Sequence, residues 1–237
     1  MNSALLPKSE SWKMFDSIAR GYDTANRLLT FGMDLGWRRK MLQSLPEGNG
    51  LAALDIATGT GDVPILMAQE QPRITRIHGL DLARDMLAKA GEKIRAAGLE
   101  EKIELRHGDA MGLPFPPGTF DLVTTAFGIR NIPAVNKALM EIFRVLKPGG
   151  RVLILESSVP ENILMKAGYI VYLRAFMPLI GWAVSGNYKA YRYLNQTTER
   201  FPCGERFCRI LKQTGFLNPK ARPLCGGAAT IYSADKP

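Results

Sequence analysis

Aspartates mark the chain at regular places between residues 55 and 109. Asp55 and Asp62 flank Gly59-Thr60-Gly61, Asp81 closes the run 74–80, and Asp109 sits in Gly108-Asp109-Ala110 after the run 102–107. An acid at a strand end can accept hydrogen bonds from both ribose hydroxyls. A second, one strand further on, can reach an adenine amino group. The glycines allow a tight turn and let a ligand lie against bare backbone. A dinucleotide site would have a third glycine where Pro64 stands, and Asp55 and Asp62 would repel its pyrophosphate. The same two carboxylates suit a ligand that carries an ammonium and a sulfonium. Singly, each aspartate reads as a cap or a turn residue. In this order, with no lysine in the turn, they point to S-adenosylmethionine. Further on, Arg130 and Asn131 offer a fixed charge and an amide, a pair that can stabilise and orient an anion.

Strands and helices must carry these residues to one edge. The run Leu51–Ile56 is apolar except for Asp55 and short enough for a buried parallel strand. Asp62 is placed to cap the next helix, and Pro64 fits its first turn. Strands are expected at 74–80, 102–107, 120–125 and 151–156, alternating with helices, which implies a mostly parallel sheet. Leu87, Ala90 and Ile94 share one helix face; Leu139, Ile142, Phe143 and Leu146 form a stripe on a helix begun by Pro133. Lys147-Pro148-Gly149-Gly150 reads as its stop. A helix at 205–214, capped by Gly215, leads to strands at 217–224 and 228–233, paired antiparallel through Gly226-Gly227.

Two segments lie outside that rhythm. Residues 1–46 hold helices, one carrying Trp12, Phe15, Ile18 and Ala19 and another at 37–45. Tyr22, between them, either closes a lid over a pocket or packs. Residues 161–200 interrupt the alternation: 163–182 is strongly apolar, and 187–200 is polar and rich in tyrosine and arginine. Lys166, Arg174 and Pro178 argue against a membrane span. At 3.6 residues per turn Lys166 and Arg174 share a side, leaving Leu164, Ile170, Tyr172 and Phe176 to face a pocket, a second copy or lipid.

The length of 237 residues fits one α/β domain with added helices. The net charge of +9 suits nucleic acid, an anionic membrane or solubility alone. Three cysteines argue for a reducing compartment, and Cys203 and Cys208 are spaced too widely for a zinc pair, so no metal is expected. The N-terminus has no apolar signal-peptide core.

As a whole the chain resembles the class I S-adenosylmethionine-dependent methyltransferases, and within them the ubiquinone/menaquinone biosynthesis C-methyltransferase family. Phe127-Gly128-Ile129-Arg130-Asn131 is the most specific signature, supported by 144–151, Ala190-Tyr191-Arg192-Tyr193-Leu194, Phe201-Pro202, Tyr22-Asp23, Phe31-Gly32 and Trp37-Arg38. The resemblance implies a Rossmann-like, seven-stranded, mostly parallel sheet with helices on both faces. It implies a single domain: a lid at 1–46, a cofactor core at 51–160, a helical insertion at 161–200 and a C-terminal helix and strand pair at 201–237. It implies that Thr60, Asp81, Asp109 and Ala110 contact the cofactor; with the residues above, the cofactor set becomes Asp55, Gly59, Thr60, Gly61, Asp81, Leu82, Asp109, Ala110 and Ala126. The family has Ser at position 126 and an acid at 134, where this chain has Ala126 and Ala134; it reads Glu-Phe-Ser where this chain has Glu156-Ser157-Ser158.

The implied reaction is methylation of a ring carbon of a prenylated quinol, a naphthoquinol ahead of a benzoquinol. Arg130 would stabilise the phenolate, or else form a salt bridge that shapes the loop; Asn131 would orient a quinol oxygen or a water, and Tyr22 close over the cofactor. His78 and His107 lie in and at the end of strands, so a water relay through Arg130 and Asn131 is expected to carry the proton. A nucleic-acid methyltransferase would show an Asn/Asp-Pro-Pro-aromatic run after the fourth strand, which is missing here, so no nucleic-acid partner is expected. An assembly partner that only binds cofactor, or a sterol methyltransferase, are the remaining rivals. The expected location is cytoplasmic, with peripheral contact at the membrane's inner face and a homodimer as a further contact.

Overall fold

The computed structural model describes residues 7–237. Its strands are β1 (Leu51–Ile56), β2 (Ile74–Asp81), β3 (Ile103–His107), β4 (Phe120–Ala126), β5 (Leu146–Ser157), β6 (Leu217–Leu224) and β7 (Ala229–Asp235). They form one sheet in the order β3-β2-β1-β4-β5-β7-β6. Strands β1 to β5 are parallel, and β7 runs antiparallel to β5 and β6. This is the sheet that the resemblance implies.

Helices cover both faces. They are α1 (Ser11–Ile18), α2 (Tyr22–Leu29), α3 (Met33–Leu42), α4 (Asp62–Glu70), α5 (Arg84–Ala96), α6 (Val135–Val145), α7 (Ile163–Val171), α8 (Met177–Ser185), α9 (Tyr188–Arg200) and α10 (Glu205–Thr214). Successive strand side chains point to opposite faces. Leu54, Val123 and Ile154 therefore pack with Ile142 and Leu211 from α6 and α10. Ala53, Leu122 and Leu153 pack with Met41 and Met67 from α3 and α4. Burial on both faces is why these strands read as continuous apolar runs. A third cluster joins Met14, Ile18, Ala25 and Leu29 to Tyr191 and Leu194, so the N-terminal helices sit on the insertion.

The structure departs from the expected elements in several places. Tyr22 opens α2 and does not lie between helices, and the helix expected at 37–45 runs Met33–Leu42. Strand β5 starts at Leu146, not 151. Leu146 pairs with Phe120, then the register slips to Leu122 with Arg151, so Lys147-Pro148-Gly149-Gly150 is a bulge within the strand. Helix α6 starts at Val135, two residues after Pro133. Asp62 does not cap α4: Gly61, left-handed at φ 80°, holds the cap position, and Asp62 turns to the cations Arg27 and Lys93. Finally, the helix through 163–185 does not keep a 3.6-residue period. Tyr172–Phe176 is a π turn between α7 and α8. Pro178 has no N–H to give the Arg174 carbonyl four residues back, which accounts for the wider turn. The π turn brings Leu173 inside, while Leu164 and Phe176 stay exposed.

Candidate active site

In a doubly wound sheet ligands bind beyond the strands' C-terminal ends, where the strand order reverses. Here the reversal falls between β1 and β4. A cavity of about 260 Å³ opens there. Four of the five parallel strands deliver a piece of wall: Gly59 after β1, Asp81 and Leu82 at β2, Asp109 and Ala110 after β3, Ala126 at β4. Trp12 and Phe15 from α1, with Tyr22 from α2, form the other side. Asp81 shapes the turn it faces. One oxygen accepts the Gly59 N–H at 2.7 Å and the other accepts the Ala83 N–H at 2.9 Å. Burial pushes its carboxyl above the usual range, and those N–H groups oppose the push. Asp109 accepts the Met111 N–H at 2.8 Å.

A second cavity, also about 260 Å³, lies beneath α2, α3, α7 and α8. Its walls are mainly apolar, among them Leu29, Trp37, Tyr172, Leu173 and Met177. Tyr22 and Phe127 line both cavities. Phe127 holds a left-handed φ of 60° and Ala57, at the end of β1, one of 51°. A non-glycine residue pays for such a backbone with strain, and two of them facing one site is characteristic of function. Gly128 lets the two strand ends meet. A Cβ on it would lie 2.5 Å from the Ala57 Cβ.

Arg130 lines the second cavity only, and Asn131 the first only. Arg130 is buried against Glu156, its ion-pair partner, and donates to the Phe127 carbonyl at 2.8 Å. Glu156 also accepts the Arg130 backbone N–H at 3.2 Å. Burial raises the Glu156 carboxyl above its usual range, and the Arg130 charge draws it back. The Arg130 Nε and the Asn131 Oδ1 have no hydrogen-bond partner among the described residues.

Residues 6–236 match the model of the ubiE/COQ5 methyltransferase family. The chain belongs to this family. The demethylmenaquinone methyltransferase of Thermus thermophilus is 42% identical over 224 residues, which covers 94% of this chain and 100% of that protein. The ubiquinone/menaquinone biosynthesis C-methyltransferase UbiE of Geotalea uraniireducens is 40% identical, covering 94% of this chain and 95% of that one. Among solved structures, an S-adenosylmethionine-dependent methyltransferase of Thermotoga maritima has a TM-score of 0.68 at 18% identity, covering 96% of this chain and 100% of that chain. That likeness carries the fold. The chain is an enzyme, a methyltransferase of the ubiE/COQ5 family.

The structure brings together most of the expected residues and separates some. Gly59, Asp81, Leu82, Asp109, Ala110, Ala126, Asn131 and Tyr22 share the first cavity. Asp55 stays behind the turn, fully buried, accepting the Thr124 hydroxyl at 2.6 Å. Burial raises its carboxyl to about 7, against the opposing pull of that hydroxyl. Asp55 therefore braces β1 and does not touch the cavity. The Thr60 hydroxyl points away from the cavity to Asp23, and Gly61 serves as the helix cap. His78 packs on Phe115 and Phe120, and the His107 ring bonds to the Leu82 carbonyl. Sequence reasoning assigned no role to Phe127 itself, and gave a pocket under 163–182 only as one of three alternatives. The one signal was the Phe-Gly pair just past β4, since aromatic and aliphatic cavity walls resemble ordinary core.

Proposed function

We propose that this methyltransferase moves a methyl group from S-adenosylmethionine to a ring carbon of a prenylated demethylmenaquinol. The observation that carries this reading is the pair of adjoining cavities: one edged by strand-end carboxylates, the other apolar with Arg130 in its wall, both sharing Tyr22 and Phe127. The first suits the cofactor. Asp81 would hold ribose hydroxyls and Asp109 the adenine amino group, with bare backbone at Gly59 and Gly108. The bound cofactor supplies an electrophilic methyl. The second suits a planar ring with a hydrocarbon tail, and the relatives' names support a quinone.

A ring carbon becomes nucleophilic once the neighbouring hydroxyl is ionised. Arg130 favours that phenolate through its charge, while Glu156 fixes the guanidinium's direction. Asn131 stands in the wall of the first cavity beside Phe127, and the ring proton leaves by a water relay past Arg130 and Asn131. Tyr22 and Phe127 hold ring and methyl donor in line, so positioning carries much of the rate.

Asp81→Ala weakens cofactor binding by at least about tenfold, because a charge-assisted bond contributes roughly 1.5–3 kcal/mol. The fold changes little. Titration calorimetry checks this, and wild-type affinity in the folded variant would remove Asp81 from the site. The substrate itself is tested in a bacterium lacking its own demethylmenaquinone methyltransferase. Expression of this chain should restore the methylated naphthoquinone in lipid extracts. Restoration only of a methylated benzoquinone, in a strain blocked at that step, would favour the ubiquinone branch.

The tail brings the enzyme to the cytoplasmic face of a bilayer. Residues Ile163–Val184 are long and apolar enough to cross a membrane, and only 11% of that window is buried. The inward side lines the second cavity with Tyr169, Tyr172 and Leu173. Outward stand Leu164, 81% exposed, and Trp182, 58% exposed, with Phe31 on the neighbouring α2–α3 loop at 79%. An amphipathic helix in a basic protein fits an interfacial position on anionic lipid. Leu164→Glu with Phe176→Glu should weaken binding to anionic vesicles and leave methylation of a short-tailed quinol intact. Vesicle binding equal to wild type would assign the outer face to a second copy of the chain, measurable as a dimer by light scattering.

A further inference from the structure

The residue between cavity-side Gly59 and the α4 cap Gly61 is anchored to the lid. Gly59 and Gly61 have φ values of 55° and 80°, so the turn has little stiffness of its own. Thr60, between them, is 3% exposed. Its hydroxyl donates to Asp23 at 2.6 Å. The other Asp23 oxygen accepts from Lys93 of α5 at 2.8 Å, and Lys93 also bonds Asp62 at 2.6 Å. Arg27, one helical turn beyond Asp23, reaches the second Asp62 oxygen at 2.7 Å. Helix α2 is thus fastened at two points to the start of α4. Burial alone would raise the Asp62 carboxyl, but the charges of Arg38 and Lys93 overcome it and hold it at about 2. Asp62 is a fixed anion across the working pH range.

The neighbour of Asp23 in sequence is Tyr22, whose side chain lines both cavities. We propose that Asp23, Thr60 and Lys93 form a latch that couples the cofactor turn to Tyr22, with Asp23 as a positioning residue for cofactor retention and quinol placement. The proposal rests on reading the first cavity as the cofactor's. Neither the Asp23 nor the Thr60 side chain lines a cavity. Each acts by holding backbone: Thr60 that of Gly59, Asp23 that of Tyr22. Coupling of this kind is reciprocal. A filled first cavity steadies the turn, the turn steadies α2, and Tyr22 then completes the wall of the second cavity. Cofactor therefore raises the affinity for quinol, and quinol raises the affinity for cofactor by the same factor.

The test uses the full chain with S-adenosylhomocysteine, followed by calorimetry and by stopped-flow release read from Trp12 in the cavity wall. Asp23→Asn and Thr60→Val should each speed release by about tenfold, the loss of roughly one net hydrogen bond. The double variant should release no faster than Asp23→Asn alone, and Thr60→Ser should behave as wild type. In turnover, Asp23→Asn should raise the quinol KM more than it lowers kcat. Thr60→Val carries no charge change and serves if Asp23→Asn does not fold. Wild-type release rates in both folded variants, or strictly additive effects, would overturn the latch. A wild-type chain that does not bind S-adenosylhomocysteine would overturn the cofactor reading and the latch together.

Discussion

Arg130→Lys lowers turnover by about 100-fold while cofactor affinity stays within about twofold of wild type. The size follows from what lysine lacks. It keeps a charge for Glu156 but not the planar fork, so the pairing with Glu156 and the bond to the Phe127 carbonyl cannot both be kept in place. The cofactor cavity does not include Arg130, so its affinity is spared. A companion variant separates chemistry from folding. Arg130→Met leaves Glu156 buried without its partner, which costs about 3–5 kcal/mol, whereas Arg130→Lys melts close to wild type. Single-turnover rates with calorimetry check both. If affinity and turnover fall together in the lysine variant, or neither falls, Arg130 is a structural residue.

Gly128→Ala has the second large effect, and it is steric. The added Cβ would sit 2.5 Å from the Ala57 Cβ and 3.0 Å from the Thr125 Oγ1. Both atoms are held by strand-end backbone, and Ala57 is already strained. Overpacking of this kind costs about 1–3 kcal/mol, a fall of roughly 2–12 °C in Tm for a chain of this size. Relief has to come from moving Ala57 and Phe127 apart. That opens the wall between the cavities, so cofactor affinity falls as well. Gly112→Ala is the control, since nothing lies within 4 Å of its new Cβ; its Tm should change little. A Gly128→Ala enzyme with wild-type Tm and affinity would show that the close approach has no mechanical consequence.

The parallel core was legible because the central strands β1, β4 and β5 are buried on both faces, which leaves short apolar runs. Asp81, the last residue of β2, and Asp109, two residues past β3, were legible as cavity-wall residues because a parallel sheet opens its crevice at these ends. The start of β5 was hidden because Lys147-Pro148-Gly149-Gly150 has the composition of a helix stop, and only pairing with β4 shows a bulge. The faces of 163–185 were hidden because a periodicity argument assumes one period, and Pro178 imposes another. Thr60 was misplaced by its neighbours. A threonine between two turn glycines invites a ligand role, yet its hydroxyl's partner Asp23 lies 37 residues away, across a contact that sequence does not encode locally. Arg130 was found by motif, but its burial against Glu156 depends on the pairing of β4 with β5.

The most direct measurement of the central claim is transfer of a deuterated methyl group. Purified protein is incubated with methyl-deuterated S-adenosylmethionine and a short-tailed demethylmenaquinol under reducing conditions, and the product is read by mass spectrometry and deuterium NMR. The account predicts a naphthoquinol carrying one labelled methyl on a ring carbon, with one S-adenosylhomocysteine released per product, and about 100-fold less of it with Arg130→Lys. Label on a hydroxyl oxygen, or no transfer from a protein that binds the cofactor, would contradict it.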